Sequence, residues 1–136
     1  MGAVTFIDTS VLVAILAKEP DRRGFSRTIA AAERRLTSPI VRLETSIVLG
    51  SRLAVSAREA ERQFEKFLEE ADIAEVGIDA AIGAAAVACS DKFGKGRHPA
   101  RLNFADCLSY ASAQVYGAQL LFKGDDFAKT DANAWA

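Results

Sequence analysis

The sequence predicts an α/β fold in which a mostly parallel sheet is covered by helices on both faces. Three observations carry this expectation. Short β-rich apolar runs recur at residues 4–7, 35–38, 73–76 and 119–122. Stretches of helical periodicity separate each run from the next, the signature of strand–helix–strand crossovers. The chain of 136 residues, half of them hydrophobic, is long enough for one packed domain and too short for two, so residues 1–136 read as a single unit.

The first strand, Val4-Thr5-Phe6-Ile7, stops at Asp8, and Ser10 is positioned to cap a helix through Leu16. Pro20 and Asp21 break the chain before a helix over 22–32, and Arg35-Leu36-Thr37-Ser38 is a short strand closed by Pro39. A helix follows over 40–53. Ser56 and Glu59 form a capping box that opens the next helix, with Ala60, Phe64, Phe67, Leu68 and Ala71 on one face. The opposite face, Glu61, Arg62, Glu65, Lys66 and Glu69, is a solvated face rather than a site. After the strand at 73–76, residues 79–93 form a helix of small residues suited to close packing on a sheet, and Gly94 ends it. Residues 95–101 are a basic loop. Asn103 caps a helix to about 116, and the last strand, Gln119-Leu120-Leu121-Phe122, runs into Gly124-Asp125-Asp126-Phe127. Sheets of this kind collect ligands beyond the carboxyl ends of their strands, at a topological switch point.

With 17 basic and 18 acidic residues, no global field draws the chain to nucleic acid or to an anionic membrane, so any nucleic-acid contact must be local. The longest apolar run, from Val11 to Ala17, falls far short of the ~20 residues that span a bilayer, and no basic leader precedes it. A cytoplasmic protein without a membrane partner is expected. Cys89 and Cys107 sit in Ala-rich helical text without metal-ligand spacing and read as small buried hydrophobes.

The carboxylates carry the chemistry. Asp8 follows a strand and precedes a helix, which places a charge at the ligand-binding edge of the sheet; a helix-capping or turn aspartate would look the same. Glu44 has Ile40, Ile47 and Val48 as its helical neighbours and so lies on an apolar stripe, where a carboxylate needs a cation, a donor or a proton. Asp106 falls in the first turn of the helix capped by Asn103, where free N–H groups and the helix dipole keep a carboxylate ionised. Asp125 and Asp126 follow the last strand, and the sequence leaves open which of them points inward. Acids from two strand ends and two helices that converge on one crevice give an oxygen-rich, His- and Cys-free environment suited to Mg²⁺ or Mn²⁺.

Phe6-Ile7-Asp8-Thr9-Ser10, Glu44, Ala105-Asp106-Cys107 and Leu121-Phe122-Lys123-Gly124-Asp125-Asp126-Phe127 resemble, in order and spacing, the PIN-domain VapC toxins. The resemblance covers almost the whole chain. It implies a three-layer α/β/α sandwich and an endoribonuclease, the toxin of a type II toxin–antitoxin pair, that hydrolyses RNA with Mg²⁺ or Mn²⁺. Asp8, Glu44 and Asp106 match the three metal-binding and catalytic acids, Asp125 or Asp126 the fourth, and Thr9 and Ser10 the small hydroxyl positions near the metal. It also implies a homodimer silenced by a VapB-like antitoxin. Given an RNA substrate, Lys92, Lys95, Arg97, Arg101 and Lys123 supply cations for its phosphates. His98, the only histidine, reads as a surface residue. A receiver-like signalling domain is the rival α/β reading, but Asp8 stands alone after the first strand and Val76-Gly77, not an aspartate, follows the third. The other rival, a PIN relative that binds without catalysis, has no reason to keep Glu44 on an apolar stripe.

Overall fold

The computed structural model describes residues 3–134. Strands β1 (Val4–Ile7), β2 (Arg34–Thr37), β3 (Ala74–Glu75) and β4 (Gln119–Leu121) form one four-stranded sheet in the order β3-β2-β1-β4, and every pairing is parallel. In the central strand β1, Thr5, Phe6 and Ile7 are all buried, as a strand covered on both faces requires. Phe6 stands in register with Leu36 on one side and Leu120 on the other, so three large side chains share one row of the core. Full burial of such a side chain contributes about 1.5–3 kcal/mol. Both residues of β3 are exposed. Arg42 covers that edge with paired hydrogen bonds, donating from Nε and Nη2 to Glu75 at 2.9 and 2.7 Å.

Helices α1 (Thr9–Leu16) and α2 (Arg22–Ala31) carry the chain from β1 to β2, and α3 (Pro39–Leu53) and α4 (Ala57–Glu70) from β2 to β3. These crossovers step outward to one side of β1. Helices α5 (Ala80–Phe93) and α6 (Phe104–Val115) then return the chain to β4, on the other side of β1. Crossovers between parallel strands are right-handed, so a reversal of direction changes the face of the sheet that the helices cover. Accordingly α3 packs on α1 and α4, while α5 packs on α6 and α6 on β1 and β4. The result is an α/β/α sandwich whose topological switch point lies between β1 and β4.

Several local expectations are corrected. Asp8, not Ser10, caps α1: its side chain accepts a hydrogen bond from Ser10 N, and the helix begins at Thr9. Ser56 caps α4 by accepting from Glu59 N at 3.1 Å, the backbone half of the expected capping box. On α3 the buried line is Val41, Thr45 and Leu49, while Ile47 is 55% exposed; Glu44 therefore sits on a half-buried line beside the core rather than on its apolar stripe. Helix α5 buries only Ile82, Ala86, Cys89 and Phe93, a stripe directed at α6 rather than at the sheet. Its remaining alanines serve helix propensity more than packing. Both cysteines are buried and free, as expected.

Gly94 ends α5 for lack of space rather than for backbone freedom. Its backbone is extended (φ −69°, ψ 162°), and a Cβ there would stand 2.3 Å from the carbonyl oxygen of Ser90. The loop that follows is closed at its base, where Lys95 N donates to Leu102 O and Leu102 N to Phe93 O. His98 is half-buried in it, with Nδ1 accepting from Ala100 N at 3.0 Å and its ring edge-on to Phe93. That explains the residue as a structural piece of the loop. Among the described residues, no helix is long and apolar enough to cross a membrane.

Candidate active site

Strand β1 ends by delivering Asp8 to the switch point. Asp8 N donates to the Leu121 carbonyl of β4 at 3.1 Å, so the neighbouring strand fixes the backbone of the acid. Its buried side chain accepts at Oδ2 from Ser10 N at 3.1 Å and from Ser10 Oγ at 2.7 Å. Ser10 Oγ in turn accepts from Lys123 N at 2.9 Å. This hydroxyl is thus committed on both sides: it orients Asp8 and ties the end of β1 to the end of β4.

Above these strand ends opens a crevice of ≈ 570 Å³, lined by Asp8, Glu44, Asp106 and Asp126 together with Thr9, Ser10 and Lys123. Asp106 is fixed by a reciprocal cap at the start of α6, in which Asp106 N donates to Asn103 Oδ1 at 2.9 Å and Asn103 N to Asp106 Oδ2 at 3.0 Å. Glu44 comes from α3 and Asp126 from the turn after β4. That turn passes through Gly124 at φ +102°, a conformation that strongly favours glycine.

Asp8, Glu44 and Asp106 share one electrostatic condition. Burial pushes the Asp8 carboxyl upward against the opposing pull of its Ser10 hydrogen bonds. Burial likewise raises Glu44, and the Asp8 charge adds to the effect. Asp106 is pushed up to about 7, first by burial and then by the charges of Asp8, Asp126 and Glu44. Among the described residues none of the four acids has an ion-pair partner, although Glu19, which lines the same crevice, is paired to both Arg52 and Lys123. Two buried hydroxyls beside them, Thr9 Oγ1 near Glu44 and Ser109 Oγ near Asp8, also lack a hydrogen bond of normal geometry. Among the described residues no three acids are already drawn to ligand distance around a single point. Uncompensated like charge of this kind favours either a proton or a cation between them.

Not every sequence-predicted residue reaches the crevice. Asp125 and Asp126 are both exposed, but only Asp126 lines the crevice, so the structure brings Asp126 rather than Asp125 to the other three acids. Arg97 and Arg101 line a separate surface depression with Lys95, and Arg97 stands 3.7 Å from Asp91. Neither Lys95, Arg97 nor Arg101 lines the crevice of the acids. Two crevice residues escaped sequence reasoning. Glu19 lies in a Lys-Glu-Pro-Asp break that reads as solvated, and Arg52 lies in the last turn of a helix, where a cation is expected for dipole reasons alone.

The chain belongs to the PIN-domain family, whose model matches residues 5–133. Within it, the chain is similar over nearly its whole length to VapC ribonucleases. It is 44% identical to Ribonuclease VapC of Mycolicibacterium smegmatis, covering 94% of this chain and 97% of that protein. It is 42% identical to Ribonuclease VapC30 of Mycobacterium tuberculosis, covering 92% and 93%. The fold matches that of VapC20 of Mycobacterium tuberculosis, described as a sarcin–ricin-loop-cleaving toxin, with a TM-score of 0.70 at 20% identity over 91% of this chain and 92% of that one. A toxin–antitoxin complex from Klebsiella pneumoniae matches with a TM-score of 0.69 at 18% identity over 94% and 93%. The receiver reading falls with these findings.

Proposed function

We propose that this protein is an endoribonuclease of the VapC kind, the toxin of a toxin–antitoxin pair, which hydrolyses RNA phosphodiesters at the acid crevice with Mg²⁺ or Mn²⁺. One observation supports this reading above the rest: Asp8, Glu44, Asp106 and Asp126 share a crevice at the switch point and, among the described residues, no cation is paired to any of them. Their donor chemistry fits a hard divalent ion, being all carboxylate oxygen, and the buried hydroxyls of Thr9 and Ser109, without a hydrogen bond of normal geometry, offer further oxygens. Asp8, Glu44, Asp106 and Asp126 would hold the ion. When bound, it supplies charge neutralisation at the phosphate and acidifies an attacking water.

The chain's own residues do the rest. Ser10 Oγ fixes the orientation of Asp8 Oδ2 and keeps that oxygen closer to the ionised form than burial alone would allow. The Asn103 cap aims the Asp106 carboxyl and leaves it able to release its proton near neutrality. Glu44, half-buried on the wall of α3, completes the anionic floor. The catalytic acids are therefore Asp8, Glu44, Asp106 and, from the last turn, Asp126. As partners we propose an RNA substrate, a second copy of the chain, and a VapB-like antitoxin that covers the crevice. Incubation of structured RNAs with and without Mg²⁺ or Mn²⁺, with the cut sites mapped, tests the activity. Metal-dependent cleavage that disappears in Asp106→Asn supports it, and cleavage that survives in EDTA overturns it.

A further inference from the structure

The crevice poses an electrostatic problem: its four acids repel the polyanion they are proposed to cleave, and the chain as a whole is nearly neutral. The cations that line it are Arg52 and Lys123, far apart in sequence, and both converge on Glu19. Arg52 Nη1 donates to Glu19 Oε2 at 2.5 Å, and Lys123 Nζ donates to Glu19 Oε1 at 2.6 Å. Glu19 is itself held. It follows Lys18, which adopts the left-handed conformation (φ 58°) that non-glycine residues rarely take. The turn is closed by Glu19 N donating to Ala14 O at 2.8 Å and is braced by Arg22 Nη1 on the Glu19 carbonyl at 3.1 Å.

The two cations differ in what they have left to give. Lys123 Nζ spends two of its three protons, on Glu19 and on Asp21 Oδ1 at 3.2 Å. Arg52 spends one N–H on Glu19, and with its side chain 52% exposed and no other hydrogen bond among the described residues, it has further N–H donors to give. On α3, Glu44, Val48 and Arg52 follow at intervals of four residues, and all three line the crevice. Arg52 therefore lies about 12 Å along the helix axis from Glu44, beyond the acids yet on the same wall.

We propose that Arg52 binds a backbone phosphate of the RNA beside the one that is cut, and that Glu19 is a positioning residue that holds the Arg52 guanidinium in place. This rests on the ribonuclease reading for its substrate class and adds how a crevice of acids retains a polyanion.

The test measures binding and cleavage separately. Binding of a fluorescein-labelled oligouridine is followed by anisotropy in EDTA across a salt series, and cleavage of the same probe is followed with Mn²⁺. Arg52→Ala is expected to weaken binding about tenfold and to reduce the slope of log affinity against log salt by about 0.7, one phosphate contact on a single strand. KM should rise while kcat stays within about twofold. Arg52→Lys should restore the slope but only part of the affinity, because an ammonium keeps the charge and loses the fork. Glu19→Ala removes a negative charge, which by itself would tighten binding; weaker binding, no worse in the double variant than in Arg52→Ala, is the mark of a positioning role. Wild-type affinity and slope in Arg52→Ala, or tighter binding in Glu19→Ala, would overturn the proposal. If Arg52→Ala does not fold, Arg52→Gln carries the same comparison. A wild-type protein that binds through Arg52 but cleaves nothing would sustain the phosphate contact and sink the ribonuclease reading, whereas a cleaving enzyme indifferent to Arg52 would do the reverse.

Discussion

Asp106 carries two duties in one carboxyl: Oδ2 accepts from Asn103 N in the helix cap, and its charge faces three other acids. Asp106→Asn keeps an acceptor for the cap and removes the charge, so the two duties separate. The folded protein holds the Asp106 proton up to a pH of about 7, well above the usual 3.8, so between these values the folded state binds a proton that the unfolded chain has released. Stability without metal therefore falls as pH rises through this window, and the penalty is complete above it. Urea melts in EDTA should show that Asp106→Asn flattens this slope and is at least as stable as wild type at a pH of about 8, while metal affinity and cleavage are lost. A variant that stays active and is less stable by about 0.3–1 kcal/mol would make Asp106 only a first-turn acid. Ser10 offers a second measurement. Its hydroxyl lowers Asp8 against burial, so Ser10→Ala should shift the acid limb of the pH–rate profile upward and cost about 0.5–1.5 kcal/mol for the lost hydrogen bond. An unmoved limb would leave Ser10 a purely structural tie.

Among the elements, those set by local chemistry were legible in the sequence. The strand before Asp8 and the Asn103–Asp106 cap could be read from neighbouring residues, because caps and strand ends are short-range features. Glu44 was found for a reason that needed revision: with Ile47 exposed, the helix turns Glu44 to the rim of the core, into the crevice. The choice between Asp125 and Asp126 depended on a glycine turn whose direction no pattern encodes. Glu19, Arg52 and Lys123 meet only through the tertiary fold, beyond the reach of any periodicity. The basic loop shows the converse, since its charges were legible while its position was not. Since Lys95, Arg97 and Arg101 line a depression of their own, neutralising all three should weaken binding of long RNAs and flatten its salt dependence, yet leave a short oligonucleotide that fills only the crevice unaffected. Equal losses on both substrates would put the loop at the crevice. The base of that loop has its own test. Gly94→Ala forces a methyl toward the Ser90 carbonyl and should destabilise the fold by about 1–3 kcal/mol in thermal melts.

Across the whole molecule, apolar surface remains uncovered: Phe104 is 79% and Val87 71% exposed, and both line one groove between α5 and α6. With the proposed partners in view, light scattering at micromolar concentration should give a dimer, and a stoichiometric antitoxin should abolish cleavage. A strict monomer, or a bound partner that leaves cleavage intact, would count against that assembly. The sheet order has one further consequence, which concerns synthesis rather than chemistry. Asp8 is made before the groups that fix it, the Leu121 carbonyl and the Lys123 amide that ties down Ser10, and before Asp126. A chain still growing on the ribosome has the first acid and lacks the wall it belongs to. Completing the centre requires closure of a contact between residues 113 apart in sequence, which is the slow kind in folding. A copy that lacks β4 has neither the groups that orient Asp8 nor Asp126, so the acid crevice is complete only once β4 slots in beside β1.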